Sequence, residues 1–263
     1  MTGTETQSTT NTTSNSLQHT VAEHYDKVWT EQESESWESW PFFQQSPSAL
    51  TTALDSLGKV RGKRVLDLAC GVGYSSKALA ERGAQVFSVD LSSQGLLKTL
   101  TRARQAKLAG QVIATRSSVE QLPFADESFD AVFAQNFLMH VSAESVGREV
   151  WRVLKPGGKA VFVEPLAHHP LVKLYRTLFS SYKGTKPRWS SRDDLKTLAT
   201  PFRQVETRGF YLSSALASVN FVQQRPFLLK PAFATLNGLD TLLVKIAPRA
   251  ERYSWVAVTI LSK

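Results

Sequence analysis

From Arg64 to Glu164 the chain repeats one pattern: a short apolar run, a stretch with helical spacing, and then another apolar run. Strands that are apolar along their whole length and separated by helices belong to a parallel sheet, because only a sheet covered on both faces buries every side chain. The runs Val65–Leu68, Val86–Val89, Val112–Thr115, Phe129–Ala134 and Ala160–Val163 are the strands this predicts. Ser142 is placed to cap a helix whose apolar positions Val146, Val150, Val153 and Leu154 fall on one face, and Pro156-Gly157-Gly158 stops it. Beyond Glu164 the rhythm lengthens into an aromatic and basic stretch, then returns with the β-rich segments Val205–Leu212 and Trp255–Leu261. Residues 165–201 are therefore expected to insert over the strand ends, where open α/β sheets bind their ligands.

Composition narrows the alternatives. A chain of 263 residues, 42% hydrophobic, has the material for one catalytic domain with appendages. Residues 1–16, rich in Ser and Thr, are expected to form a disordered tail before a single domain over 17–263. Cys70 is the single cysteine, which excludes an internal disulfide framework, and with no Cys/His cluster at ligand spacing no metal site is expected. No membrane span and no secretory leader is read in the sequence, so a cytoplasmic location is expected. The net charge of +8 asks for an anionic partner, yet only Lys59, Arg61, Lys63 and Arg64 cluster tightly, so nucleic acid is not expected.

The most informative segment is Val65-Leu66-Asp67-Leu68-Ala69-Cys70-Gly71-Val72-Gly73, a buried strand running into a Gly-x-Gly turn and then a helix. Glycines are needed where a ligand lies directly on the backbone, since a Cβ would collide with it. A dinucleotide fingerprint wants a third glycine three residues after Gly73, where this chain has Ser76, which argues against a nicotinamide cofactor. Asp67, inside an apolar strand, must find hydrogen-bond donors.

This segment resembles the first motif of the class I S-adenosylmethionine-dependent methyltransferases, with Ala69 where that family has its first glycine. Further landmarks follow in the family's order: Val89-Asp90-Leu91-Ser92, Val119-Glu120-Gln121-Leu122-Pro123-Phe124, Ser128-Phe129-Asp130-Ala131-Val132, and Val153-Leu154-Lys155-Pro156-Gly157-Gly158. The series is similar to the type 11 and ubiquinone-biosynthesis-like group over residues 65–164. The resemblance implies a doubly wound, Rossmann-like α/β fold with a seven-stranded, mostly parallel sheet and a substrate cap inserted after the fifth strand. It divides the domain into an N-terminal lid (17–60), a cofactor-binding core (61–164), the cap (165–201) and C-terminal strands and helix (202–263). It implies S-adenosyl-L-methionine as cofactor, held by Asp67, Ala69, Gly71, Gly73, Asp90, Leu91, Ser118, Val119, Glu120 and Gln135, with Asp90 on the ribose hydroxyls. Ser118 stands where the family often has an aspartate for the adenine amino group.

Upstream, Tyr25 is expected to be the cofactor contact of a lid helix, followed by aromatic residues at Trp29, Trp37, Trp40, Phe42 and Phe43. A sulfonium methyl is already activated, so catalysis needs a positioned nucleophile and, for a hydroxyl acceptor, a base. His140, after the fourth strand, and His168 with His169, after the fifth, are the candidate bases. Arg176, Arg188 and Trp189 are the residues of the cap suited to an anionic or aromatic acceptor. A small-molecule acceptor is expected. The alternatives are a nucleic-acid methyltransferase, disfavoured by Gln135-Asn136-Phe137-Leu138 where the amino-methylating members carry Asn/Asp-Pro-Pro-Tyr/Phe, and a non-catalytic cofactor-binding module.

Overall fold

A computed structural model describes residues 19–31, 48–179, 188–218 and 225–263. Seven strands form one sheet: β1 (Arg64–Leu68), β2 (Gln85–Asp90), β3 (Val112–Arg116), β4 (Phe129–Gln135), β5 (Leu154–Pro165), β6 (Gln204–Phe210) and β7 (Val256–Ser262). Their order is β3-β2-β1-β4-β5-β7-β6, with β1 to β5 parallel and β7 antiparallel to both β5 and β6. The strand order reverses between β1 and β4, so their carboxyl ends open a crevice where a ligand can enter.

The alternation along each strand divides the core in two. Val65, Val86, Phe133, Val161, Val163 and Val258 face one way, packed against helices α2 (Ser48–Ser56) and α3 (Tyr74–Glu81). Leu66, Leu68, Val89, Val132, Phe162 and Leu261 face the other, under α5 (Ala143–Val153) and α7 (Arg192–Ala199). Four further helices lie among the described residues: α1 (19–31), α4 (Ser93–Gln105), α6 (Pro170–Phe179) and α8 (Pro226–Ile246).

Local chemistry accounts for the boundaries. The Ser142 hydroxyl accepts a bond from the Ser145 amide at 3.3 Å and starts α5 where the sequence predicts. The expected end of that helix differs, because Leu154 leaves it to pair with Phe129 and the Lys155-Pro156-Gly157-Gly158 stretch belongs to β5. Lys263 holds that stretch from the other side, its amide donating to the Gly158 carbonyl at 3.1 Å. Helix α7 begins at a capping box in which Ser191 and Asp194 exchange bonds. Its Leu195 and Leu198 are buried beside α5, so this end of the expected insertion is part of the layer that covers the sheet. The tail at 1–16 and the aromatic residues Trp37, Trp40, Phe42 and Phe43 lie outside the described residues.

Gly147, in the middle of α5, would be a weak helix residue in isolation. A Cβ there would collide with the backbone carbonyl of Leu198, so the glycine is what lets α5 and α7 approach. Gly147→Ala is expected to lower stability by about 1–3 kcal/mol, read as an earlier midpoint in urea unfolding with an unchanged slope.

Candidate functional site

The site is built on the turn that leaves β1. Ala69, Gly71 and Gly73 all take left-handed backbone angles, with φ of 49°, 52° and 80°. Two of the three are glycines, which adopt this region without cost, while Ala69 carries a strain of roughly 1–2 kcal/mol. Gly73 turns its bare side against Thr99 of α4, where a Cβ would collide. Gly71 turns its bare side outward, and the first atom a Cβ would meet is the Trp29 ring at 3.6 Å. Among the described residues, the turn therefore has one face packed and one face covered by an aromatic ring.

Asp90, the last residue of β2, fixes the turn from the neighbouring strand. One of its carboxylate oxygens accepts the Gly71 amide at 2.8 Å and the other the Ser92 amide at 2.8 Å. Burial pushes its carboxyl above the usual range, against these backbone bonds. The Leu91 amide is a third backbone donor to this carboxylate, which has about four acceptor sites in all. Leu91 follows, half-buried, its carbonyl taken by Arg116 Nε at 2.9 Å.

Asp67 lies beneath the turn, wholly buried. Its donors are the hydroxyls of Ser75 (2.8 Å and 3.0 Å) and Ser76 (2.5 Å) at the start of α3. Burial pushes its carboxyl up to about 7. Ser76, the residue that stands where a dinucleotide fingerprint has glycine, therefore serves the fold by pinning α3 to β1.

On the far side of β2, Ser118 Oγ accepts the Glu120 amide at 3.2 Å and Val119 is buried in the core. The Glu120 carboxylate accepts the Ser142 amide at 2.8 Å, at the start of α5. The Leu122-Pro123-Phe124 segment is clamped by two α5 side chains: Glu149 accepts the Leu122 amide at 2.7 Å, and the Arg152 guanidinium donates to the carbonyls of Leu122 and Phe124. Gln135 ends β4, half-buried and paired with Val163. Asn136, next in the chain, has φ of 57°, a conformation its short polar side chain tolerates better than most.

Helix α1 lies across this edge. Tyr25 and Trp29, one turn apart, have stacked rings with centroids 5.9 Å apart. The Tyr25 hydroxyl is 2.9 Å from His140 Nε2, in the turn after β4. Asp26 accepts the Ser92 hydroxyl at 2.6 Å and the Gln94 amide at 3.0 Å, at the positive end of α4. Burial alone would raise the Asp26 carboxyl; these bonds and the Arg116 charge hold it below the usual range. Burial, and then the His24 charge, lower the His140 imidazole. The sequence reading named Tyr25 and missed the anchoring by Asp26, which no spacing rule reveals.

The other candidate bases follow β5. His169 is buried: its Nδ1 accepts the Val172 amide at 3.2 Å, so Nε2 carries the proton and donates to the Leu212 carbonyl at 2.7 Å. Both ring nitrogens are thereby committed to holding α6 against the segment after β6. His168 is exposed. Of Arg176 only the backbone, within α6, is described; Trp189 is half-exposed, and Arg188 is paired with Asp194 at 2.6 Å. Among the described residues no cluster of His, Cys, Asp and Glu could hold a metal ion.

Glu164, at the end of β5, was not singled out from the sequence. It is wholly buried and accepts the amides of Phe137 (3.2 Å) and Leu138 (3.3 Å) and the Ser190 hydroxyl (3.1 Å). It thus joins the turn that carries His140 to the segment that precedes α7.

Comparison with known proteins agrees with this architecture. Residues 66–162 match the family described as Methyltransferase domain. The chain is 40% identical over 132 residues to the demethylmenaquinone methyltransferase of Renibacterium salmoninarum, spanning 49% of this chain and 52% of that one. It is 32% identical over 144 residues to the ubiquinone biosynthesis O-methyltransferase of Alkalilimnicola ehrlichii, spanning 54% and 57%. The chain thus spans about half the length of the curated relatives it matches. In fold it is similar to geranyl diphosphate C-methyltransferase from Streptomyces coelicolor, with a TM-score of 0.59, 16% identity, and coverage of 94% of this chain and 97% of that one.

Burial pushes the Glu164 carboxyl up to about 7, against its three bonds, from an ordinary value of 4.5. Between these two values the native state keeps a proton that the unfolded chain releases, so stability falls as pH rises through that window. Glu164→Gln keeps an acceptor for the two amides and removes the charge. It is expected to raise the melting temperature above pH 7, by the equivalent of up to roughly 3 kcal/mol, and to change little near pH 4, which thermal unfolding across that range checks.

Proposed function

We propose, from the premise that residues 66–162 form a methyltransferase domain of the class I, type 11 group, that this chain takes S-adenosylmethionine at the β1–β4 crevice and transfers its methyl group to a small-molecule acceptor. One observation carries the reading: Asp90 offers two aligned carboxylate oxygens beside the bare backbone of Gly71. A vicinal diol matches such a carboxylate, one hydroxyl to each oxygen. The left-handed glycine turn fits a ligand lying flat on the chain, since among the described residues its outward face meets the Trp29 ring alone.

When bound, the cofactor supplies an activated, positively charged methyl donor. The protein's share is to bind, orient and exclude water. The stacked rings of Tyr25 and Trp29 present π faces that attract a cation, an interaction that strengthens as water leaves. Helix α1 is held to the end of β2 by Asp26, so the roof and the diol site are tied to the same strand. His140, whose imidazole pKa is lowered by burial and which stands against Tyr25 of α1, is the candidate to receive a proton from a hydroxyl acceptor. His169, with both nitrogens engaged, is less suited to that task. Recognition of the acceptor falls to the cap, residues 165–201.

Isothermal titration of the full chain with S-adenosylmethionine and S-adenosylhomocysteine is expected to give saturable heat, and Asp90→Ala to weaken both by on the order of 100-fold, as two bonds to a charged acceptor are lost. Absence of heat for either ligand, or an Asp90→Ala variant that binds as the parent does, would overturn the proposal. With labelled cofactor, label is expected in low-mass fractions of an extract; label confined to RNA would overturn the small-molecule assignment.

A further inference from the structure

Helix α8 (Pro226–Ile246) is long and apolar enough to cross a bilayer by length and composition, yet 11% of that stretch is buried. One stripe is docked on the body. Leu229 is wholly buried, Phe233 and Leu236 pack against the core, and the Phe233 ring lies 6.2 Å from Tyr211. Asp240, on the same stripe, is buried and accepts the amides of Leu212, Ser213 and Ser214 and the hydroxyls of both serines. These bonds fix the rotation of the helix and hold it on the protein, so it does not span a membrane in this arrangement.

The opposite stripe is exposed and apolar. Phe227, Pro231, Ala234, Gly238, Leu242 and Ile246 recur every three or four residues along it. Phe227 and Ile246, at its two ends, are each 73% exposed, and Leu239 and Leu243 widen it. Soluble proteins rarely leave such a contiguous apolar face uncovered.

Charge identifies what covers it. Between Arg225 and Tyr253 the chain has five cations, Arg225, Lys230, Lys245, Arg249 and Arg252, and two acids. Both acids point inward: Asp240 as above, and Glu251 accepting the Gly209 amide at 2.5 Å. Lys230 and Lys245 are exposed near the two ends of the helix, and Arg249 just beyond it. A second copy of this helix laid on this face would bring lysine against lysine, with both acids of residues 225–253 turned to their own fold. We propose that the exposed stripe of α8 lies in the interface of an anionic lipid bilayer, its apolar side chains among the acyl chains and its lysines among the headgroups.

The proposal does not depend on methyl transfer. The full chain is sedimented with vesicles of phosphatidylcholine alone and of phosphatidylcholine mixed with phosphatidylglycerol, at low and high salt. Binding to the mixed vesicles is expected to exceed binding to the neutral ones by at least about tenfold and to fall with salt. The double replacement Lys230→Gln with Lys245→Gln is expected to weaken it roughly 30-fold. The triple replacement Phe227→Ser, Leu242→Ser, Ile246→Ser is expected to abolish it, while heat of cofactor binding and the melting temperature stay those of the parent. The charge variant leaves the apolar stripe intact, so it reads the proposal even where the triple variant fails to fold. No association with anionic vesicles at low salt, association indifferent to both variants, or a dimer in light scattering that the triple variant dissolves would each overturn the inference. Vesicle binding without cofactor heat would overturn the proposed function and leave this inference standing; cofactor heat without vesicle binding would do the reverse.

Discussion

The bond from the Gly71 amide to Asp90 ties together the two strands on which the site depends. It spans from the loop after β1 to the end of β2, and through the second oxygen it also sets the start of α4 at Ser92. With it in place the glycine turn is tied to β2, and a ligand meets a formed surface rather than one it must organise. That is the physical content of preorganisation: the entropy of ordering the loop is lost on folding, before the ligand arrives.

The buried Asp67 and Glu164 and the half-buried Asp90 hold this arrangement together, each at a different junction. Asp67 joins β1 to α3, Asp90 joins β1 to β2, and Glu164 joins β5 to the turn after β4. In each, burial raises the carboxyl and short polar bonds work against that rise. Such groups destabilise the fold relative to a well-packed apolar core, but each is satisfied by donors from a different element. They therefore fix how the strand ends stand relative to one another at the edge where the crevice opens.

The parallel sheet was legible because its strands are apolar throughout and their spacing leaves room only for crossover helices. The glycine turn and Asp90 were legible because residue type and position carry the same message. Contacts between distant segments were not. Asp26 reaches the amides of α4 across 68 positions of sequence, and Glu164 reaches Ser190 across 26, with no periodicity to betray either. Gly147 is a weak helix residue by type, and the Leu198 carbonyl that requires it lies 51 positions away in the sequence. His169 looked like a free base beside a proline, and only the two bonds to its ring reveal a fastener. Helix α8 mixes apolar and basic residues in a way that sequence alone assigns equally well to a core or a surface. Its outer stripe emerges only when Asp240 is seen to fix its rotation.

The placement of Asp26 also filters what may approach the end of β2. The first amides of a helix form a natural seat for a phosphate, and at α4 a carboxylate already sits on the Gln94 amide, a short way from the carboxylate of Asp90. Two negative groups there repel a third. Under the proposed function that field, offset in part by the Arg116 charge, would disfavour a nucleoside that bears phosphate on its sugar relative to an uncharged sugar attached to a positive centre.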